Sequence, residues 1–187
     1  MAAAALALAS AASAADPRAG ESMAAVCFAC HGQGGNSTNP AVPSIAGQPA
    51  QFISTSLYTF REGNRKDPQM SPIAANLSNT EMNDLAAYFS AQKPAPSAHR
   101  ASADNAQARP ELAQKFNCTQ CHGARMLGQQ HIPRLAGQQV EYLRAQLRGF
   151  KARTRIDLDG KMSESAQVLS DKDIEILVDY LAGLGIQ

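Results

Sequence analysis

The chain has four cysteines, and all of them fall in two five-residue segments that each close on a histidine. These are Cys27-Phe28-Ala29-Cys30-His31 and Cys118-Thr119-Gln120-Cys121-His122, set 91 positions apart. Two thiols separated by two residues add to the two vinyl groups along one edge of a haem. The histidine that follows is carried under the ring, where its imidazole binds iron. Spacing and ligand identity are therefore linked. A zinc site from two Cys-x-x-Cys pairs, a thiol redox pair, or disulfides from an even cysteine count are the competing readings. Zinc makes both adjacent histidines coincidental, and a thioredoxin-like pair expects a βαβ context that is absent. Two covalently bound haem c groups, one on Cys27 and Cys30 and one on Cys118 and Cys121, account for every cysteine and for the histidine that closes each motif.

An iron that only carries electrons needs a sixth ligand. Met70 lies 39 positions after His31, and Met162 lies 40 after His122. A thioether is a soft, neutral donor that favours the ferrous state over bis-histidine ligation. Methionine is more often core filler, yet Met23, Met82 and Met126 have no methionine partner in the other copy, whereas Met70 and Met162 do. Both are expected in polar loops rather than on apolar stripes. His99 and His131 are the rival ligands, and their positions mark them as ordinary surface histidines. Pro43 and Pro133 follow the motif histidines by 12 and 11 positions. The second imidazole nitrogen must donate to something, and a backbone carbonyl in such a loop would orient the ring and tune its basicity.

The elements that must hold these residues are themselves repeated. Pro43-Ser44-Ile45-Ala46-Gly47-Gln48 faces Pro133-Arg134-Leu135-Ala136-Gly137-Gln138 at an offset of 90, and Leu57 and Phe60 face Leu147 and Phe150 at the same offset. Met70, Leu77 and Tyr88 face Met162, Leu169 and Tyr180 at 92, so a short insertion separates the two registers. The expected organisation is a domain over residues 16–93, a proline-bearing linker over 94–109 and a second domain over 110–187. At roughly 80 residues each, such domains need a staple. Amphipathic stripes through Phe52, Leu57, Phe60 and Tyr142, Leu147, Phe150 predict one helix per copy. Ser78-Asn79-Thr80-Glu81 and Ser170-Asp171-Lys172-Asp173 cap a second. Helices before Cys27 and Cys118 begin near Pro17 and Pro110. Nothing alternates with period two, and the fold class is all-α.

Composition narrows the function. The net charge is +1, with five basic and six acidic residues over 16–93 and twelve and ten over 94–187. That balance gives no support to a nucleic-acid partner. Residues 1–15, small and apolar and ending near Ala12-Ser13-Ala14, read as a secretory signal peptide or its remnant, although no basic residue precedes them. No later apolar run reaches the ~20 residues of a membrane helix. A periplasmic location is expected. Arg134, Arg144, Arg148, Lys151, Arg153 and Arg155 form a basic stretch with three readings: a docking face for an acidic partner, neutralisation of haem propionates, or a solvated helix face.

Taken together, the two Cys-x-x-Cys-His motifs, the Pro-x-(Ile/Leu)-Ala-Gly-Gln segments, the matched methionines and Phe60-Arg61-Glu62-Gly63-Asn64-Arg65 resemble the dihaem cytochrome c4 family. The resemblance implies two class I cytochrome c domains related by a pseudo-twofold axis. It assigns His31 and Met70 to one iron and His122 and Met162 to the other. It implies a periplasmic carrier of single electrons from a quinol-oxidising complex or dehydrogenase to a terminal oxidase or other acceptor. The second copy departs most, being acidic around Asp157 and Asp159. Two other functions compete with a mobile carrier: a cytochrome subunit of a larger dehydrogenase such as a flavocytochrome, and a dihaem enzyme. Catalysis is least favoured, because an enzyme needs an open or labile iron position and both matched methionines are already assigned.

Overall fold

The computed structural model describes residues 14–103 and 108–186. Most of the expected leader, up to residue 13, and part of the expected linker therefore lie outside the described residues. Among those described, ten α-helices occur with no strand, only an isolated bridge between Gln129 and Ile132. Five belong to each half. The first half holds α1 (Pro17–Met23), α2 (Ala25–His31), α3 (Ala50–Arg61), α4 (Met70–Ala74) and α5 (Asn79–Ala91). The second holds α6 (Ala108–Lys115), α7 (Cys118–His122), α8 (Val140–Lys151), α9 (Lys161–Gln167) and α10 (Asp171–Gly183).

Local chemistry sets the helix ends. Asp16 caps α1 by accepting from Arg18 N–H at 2.9 Å, with Pro17 in the first turn, where its missing N–H costs nothing. The last helix of each half opens with a complete capping box, Ser78 with Glu81 and Ser170 with Asp173. The helix before each haem-type motif is broken rather than continuous. In the first half the break falls at Ala24, and in the second Asn117 takes a left-handed conformation (φ 57°).

The expectation that Met70 and Met162 sit in loops is corrected. Each lies in the first turn of a short helix, α4 or α9. An aspartate makes this possible: Asp67 accepts from Met70 N–H at 2.8 Å, and Asp157 accepts from Met162 N–H at 2.8 Å. Those aspartates are 90 apart and the methionines 92. Two extra residues in the second half therefore fall between cap and methionine.

Two small cores result. One gathers Ala24, Ile53, Leu85, Ala86, Tyr88 and Phe89. The other centres on Leu143, Phe150, Leu169, Ile174, Leu177, Val178 and Leu181. In the first half α1 crosses α5 so closely that a Cβ on Gly20 would lie 2.1 Å from the Asp84 carbonyl oxygen. Glycine is required there by the close approach.

The halves meet through reciprocal contacts between equivalent segments. Ser44 N–H donates to Gln138 Oε1 (2.8 Å) and Gln138 Nε2 donates to Ser44 C=O (2.9 Å). The mirror pair is Arg134 N–H to Gln48 Oε1 (2.8 Å) and Gln48 Nε2 to Arg134 C=O (3.0 Å). Because Ser44 corresponds to Arg134 and Gln48 to Gln138, the pattern is the self-complementary one that a twofold relation produces. All four residues are buried. The Arg134 guanidinium adds bonds to Ala46 C=O at 3.0 Å and to Ala136 C=O, so it clasps the equivalent turn of both halves.

Candidate haem centres

Each motif occupies a single helical stretch, α2 or α7, so the two cysteines of a pair lie three residues apart on one helix face. All four thiols are free of disulfide bonds; Cys30 and Cys121 are exposed, Cys27 and Cys118 half-buried. Burial pushes the Cys27 and Cys118 thiols up. Each pair thus presents two unlinked sulfurs to a neighbouring group.

The histidines that close the motifs are buried. His31 Nδ1 donates to Pro43 C=O at 2.8 Å, and His122 Nδ1 donates to Pro133 C=O at 2.8 Å. This bond sets the tautomer: with the proton on Nδ1, Nε2 carries the lone pair. Burial lowers the pKa of both imidazoles, and the proline carbonyl opposes that shift only in part. Each ring is thus left with Nε2 as the nitrogen that could ligate a metal. The loops that bring the prolines back are built alike. Gly35 C=O accepts from Ile45 and Ala46 N–H at 2.8 and 3.0 Å, while Met126 C=O accepts from Leu135 and Ala136 N–H at 2.8 and 3.0 Å.

Met162 and Cys118 pack against the same core cluster, and both methionines are half-buried. His131 is exposed, whereas His99 Nε2 pairs with Asp179 at 2.8 Å and is tied to α10. His99 is therefore not the plain surface histidine that its place in the linker suggests.

The structure redistributes the basic stretch. Arg134 is in the interface, Arg144 binds Glu175 and Glu141, Arg148 binds Glu175 at 3.0 Å, and Lys151 donates to Leu169 C=O. Arg153 remains exposed. Arg65 and Arg155, 90 apart, lie over Phe60 and Phe150 at 4.5 and 4.3 Å and converge on Gln146. Arg65 also donates to Tyr142 Oη at 3.2 Å. Burial pushes Arg155 down to about 10, and its Nε is buried with no hydrogen-bond partner. A nearby anion such as a haem propionate would satisfy that donor, so the residues present fit the group that the motifs imply.

Sequence reasoning singled out the Ala-Gly-Gln repeat as a sign of duplication and missed the role of its glutamines as the interface. The signal was present, since a buried amide is costly unless bonded, but nothing in one copy says that its partner lies in the other. Among the described residues, no group of three or more His, Cys, Asp or Glu could hold a metal ion unaided, and no helix is long and apolar enough to cross a membrane.

An all-helical chain with two Cys-x-x-Cys-His motifs, each closed on a buried, carbonyl-bonded histidine, is a c-type cytochrome with two domains. Residues 106–185 match the family model described as cytochrome c, and residues 14–89 match that of cytochrome c oxidase, cbb3-type, subunit III. The chain is 38% identical to cytochrome c4 of Thiocapsa roseopersicina, with 90% of this chain and 93% of that one aligned. It is 35% identical to a thiosulfate dehydrogenase electron acceptor of Stutzerimonas stutzeri (strain A1501), over 87% and 80%. The crystal structure of reduced recombinant cytochrome c4 from Pseudomonas stutzeri superposes with a TM-score of 0.79 at 33% identity, covering 91% of this chain and all of that one. The chain belongs to the cytochrome c4 family. It is an electron-transfer protein rather than an enzyme, and it carries two covalently bound haem c groups.

Proposed function

We propose that this chain is a periplasmic carrier that takes single electrons from a quinol-oxidising complex or dehydrogenase and delivers them to a terminal oxidase or other acceptor. Cys27 and Cys30 tether one haem and Cys118 and Cys121 the other, with His31 and Met70 on the first iron and His122 and Met162 on the second. The haem supplies an iron that cycles between ferric and ferrous states. The protein holds it in place and tunes it: Pro43 and Pro133 fix the imidazole rings, and the aspartate-capped turns of α4 and α9 hold the thioethers. The domains span residues 16–93 and 110–187, with 94–109 as the linker.

The observation that carries the reading is the duplicated histidine-to-proline hydrogen bond, 2.8 Å in both halves, beside paired free thiols. Such a bond orients a ligating imidazole. Near-infrared magnetic circular dichroism of the oxidised protein tests the ligand sets. Two low-spin histidine–methionine haems are expected, and a high-spin or bis-histidine signature at either site rejects the assignment.

The similarity to thiosulfate dehydrogenase electron acceptors favours a second reading, in which the chain is a cytochrome subunit held by a larger dehydrogenase rather than a mobile carrier. Fractionation separates the two. A mobile carrier leaves the periplasm as a single chain with two haems, whereas a subunit co-purifies with its dehydrogenase.

A further inference from the structure

Each motif histidine ends on a peptide group that has a second occupant. The carbonyl of the Pro43–Ser44 peptide accepts from His31 at 2.8 Å, and the N–H of that same peptide donates to Gln138 Oε1 at 2.8 Å. In the other half, the carbonyl of the Pro133–Arg134 peptide accepts from His122 at 2.8 Å, and its N–H donates to Gln48 Oε1 at 2.8 Å. Two continuous chains of hydrogen bonds result, each starting on a glutamine of one domain and ending on the motif histidine of the other.

We propose that Gln138 and Gln48 are positioning residues that tune the axial histidine of the opposite domain, Gln138 acting on His31 through the Pro43–Ser44 peptide and Gln48 acting on His122 through the Pro133–Arg134 peptide. The proposal rests on the reading that His31 and His122 ligate iron. Hydrogen bonds in series polarise one another, strengthening each by roughly 10–30%. An acceptor at the peptide N–H drives electron density onto its carbonyl oxygen, which then draws harder on the imidazole Nδ1–H. The ring gains imidazolate character and becomes a more basic ligand, which favours ferric iron and lowers the potential. Burial keeps this chain effective: Gln48, Gln138, Ser44 and Arg134 are all at most 9% exposed, so water does not compete for the peptide groups. Each glutamine is also anchored by its Nε2 on the carbonyl of the residue whose N–H it accepts from, which fixes the amide orientation. The polarising contact of each domain is thus contributed by its partner domain, and any shift of the two domains against each other alters both histidines.

The test is Gln138→Met in the full haem-loaded protein, read by redox titration and by the His31 and His122 Nδ1–H signals in NMR spectra of the 15N-labelled reduced form. The side chain keeps its length and loses the acceptor. The expected result is a higher potential for the haem on Cys27 and Cys30 and an upfield move of the His31 signal, with His122 and its haem unmoved; Gln48→Met does the reverse. Equal shifts of both haems, a shift confined to the mutated domain, or no shift overturns the proposal. Should Gln138→Met fail to take up haem, Gln138→Glu retains an acceptor oxygen, and loss of the downfield His31 signal in that variant is equally fatal. In the wild type, Nδ1–H signals without the ring-current shift of an axial ligand reject the underlying ligand reading. With those shifts present, a null result in the variants rejects the coupling alone.

Discussion

A single side chain acts here largely through what its neighbours already hold in place. The Nδ1 of each motif histidine is committed to a proline carbonyl, which leaves Nε2 as the ring nitrogen that can ligate a metal. Under the proposed ligand sets, Met70 and Met162 are then the natural points of control. Met70→His is expected to lower the potential of one haem, by a part of the ~0.8 V that axial ligation spans, and to leave the other nearly in place. A redox titration resolving two waves checks it, and an equal drop in both contradicts independent ligand sets. Gly35 makes a sharper stability prediction. It sits at φ 83°, and an added Cβ would lie 2.9 Å from Ala46 N, Ile45 and Phe89. Gly35→Ala should cost about 1–3 kcal/mol of stability in chemical denaturation. The equivalent place in the second half is Met126, also at positive φ (55°) and fully buried. One copy pairs an unhindered backbone with no side chain, and the other fills the space with a flexible one. No pattern in the sequence announces that exchange, because the residue types share nothing.

At the scale of elements, helices and caps were legible because the signals are local. The stripes through Phe52 to Phe60 and Tyr142 to Phe150 became α3 and α8, and both serine boxes formed as written. Ser170→Ala removes the cap of α10 and should cost about 1 kcal/mol in a denaturant titration of the holoprotein. The same box carries a pH dependence. Hydrogen bonds from the Ser170 side chain and backbone hold the Asp173 carboxyl below its ordinary value of 3.8. A carboxyl depressed on folding contributes stability above its unfolded pKa and loses it as pH falls through the folded one. The contribution should fade below about pH 4 in the wild type and be missing from Ser170→Ala, as paired acid titrations followed by circular dichroism would show. The helices carrying Met70 and Met162 were not legible, because each is one or two turns long and starts from an aspartate side chain whose role depends on where the loop brings it.

The whole molecule is organised by its duplication, which the offsets of 90 and 92 made visible, and by an interface that they did not. The basic stretch shows why: its charges look like one surface in sequence, yet Arg134 is buried between the halves while Arg144 and Arg148 share Glu175. Only folding decides which charges face a partner. Arg134→Met leaves the carbonyls of Ala46 and Ala136 without a donor. It should cost roughly 2–4 kcal/mol and split one calorimetric unfolding transition into two, and a single unchanged transition would count against a structural role for the clasp. Beneath every statement at this scale lies one covalent fact, that each half is stapled to its own haem. The measurement that reaches it most directly is the intact mass of the denatured protein expressed where c-type haems are attached. A mass equal to the mature chain plus two haems, falling to one haem when Cys27 and Cys30 are both changed to alanine, is the predicted result; a denatured chain weighing no more than its amino acids would contradict the account.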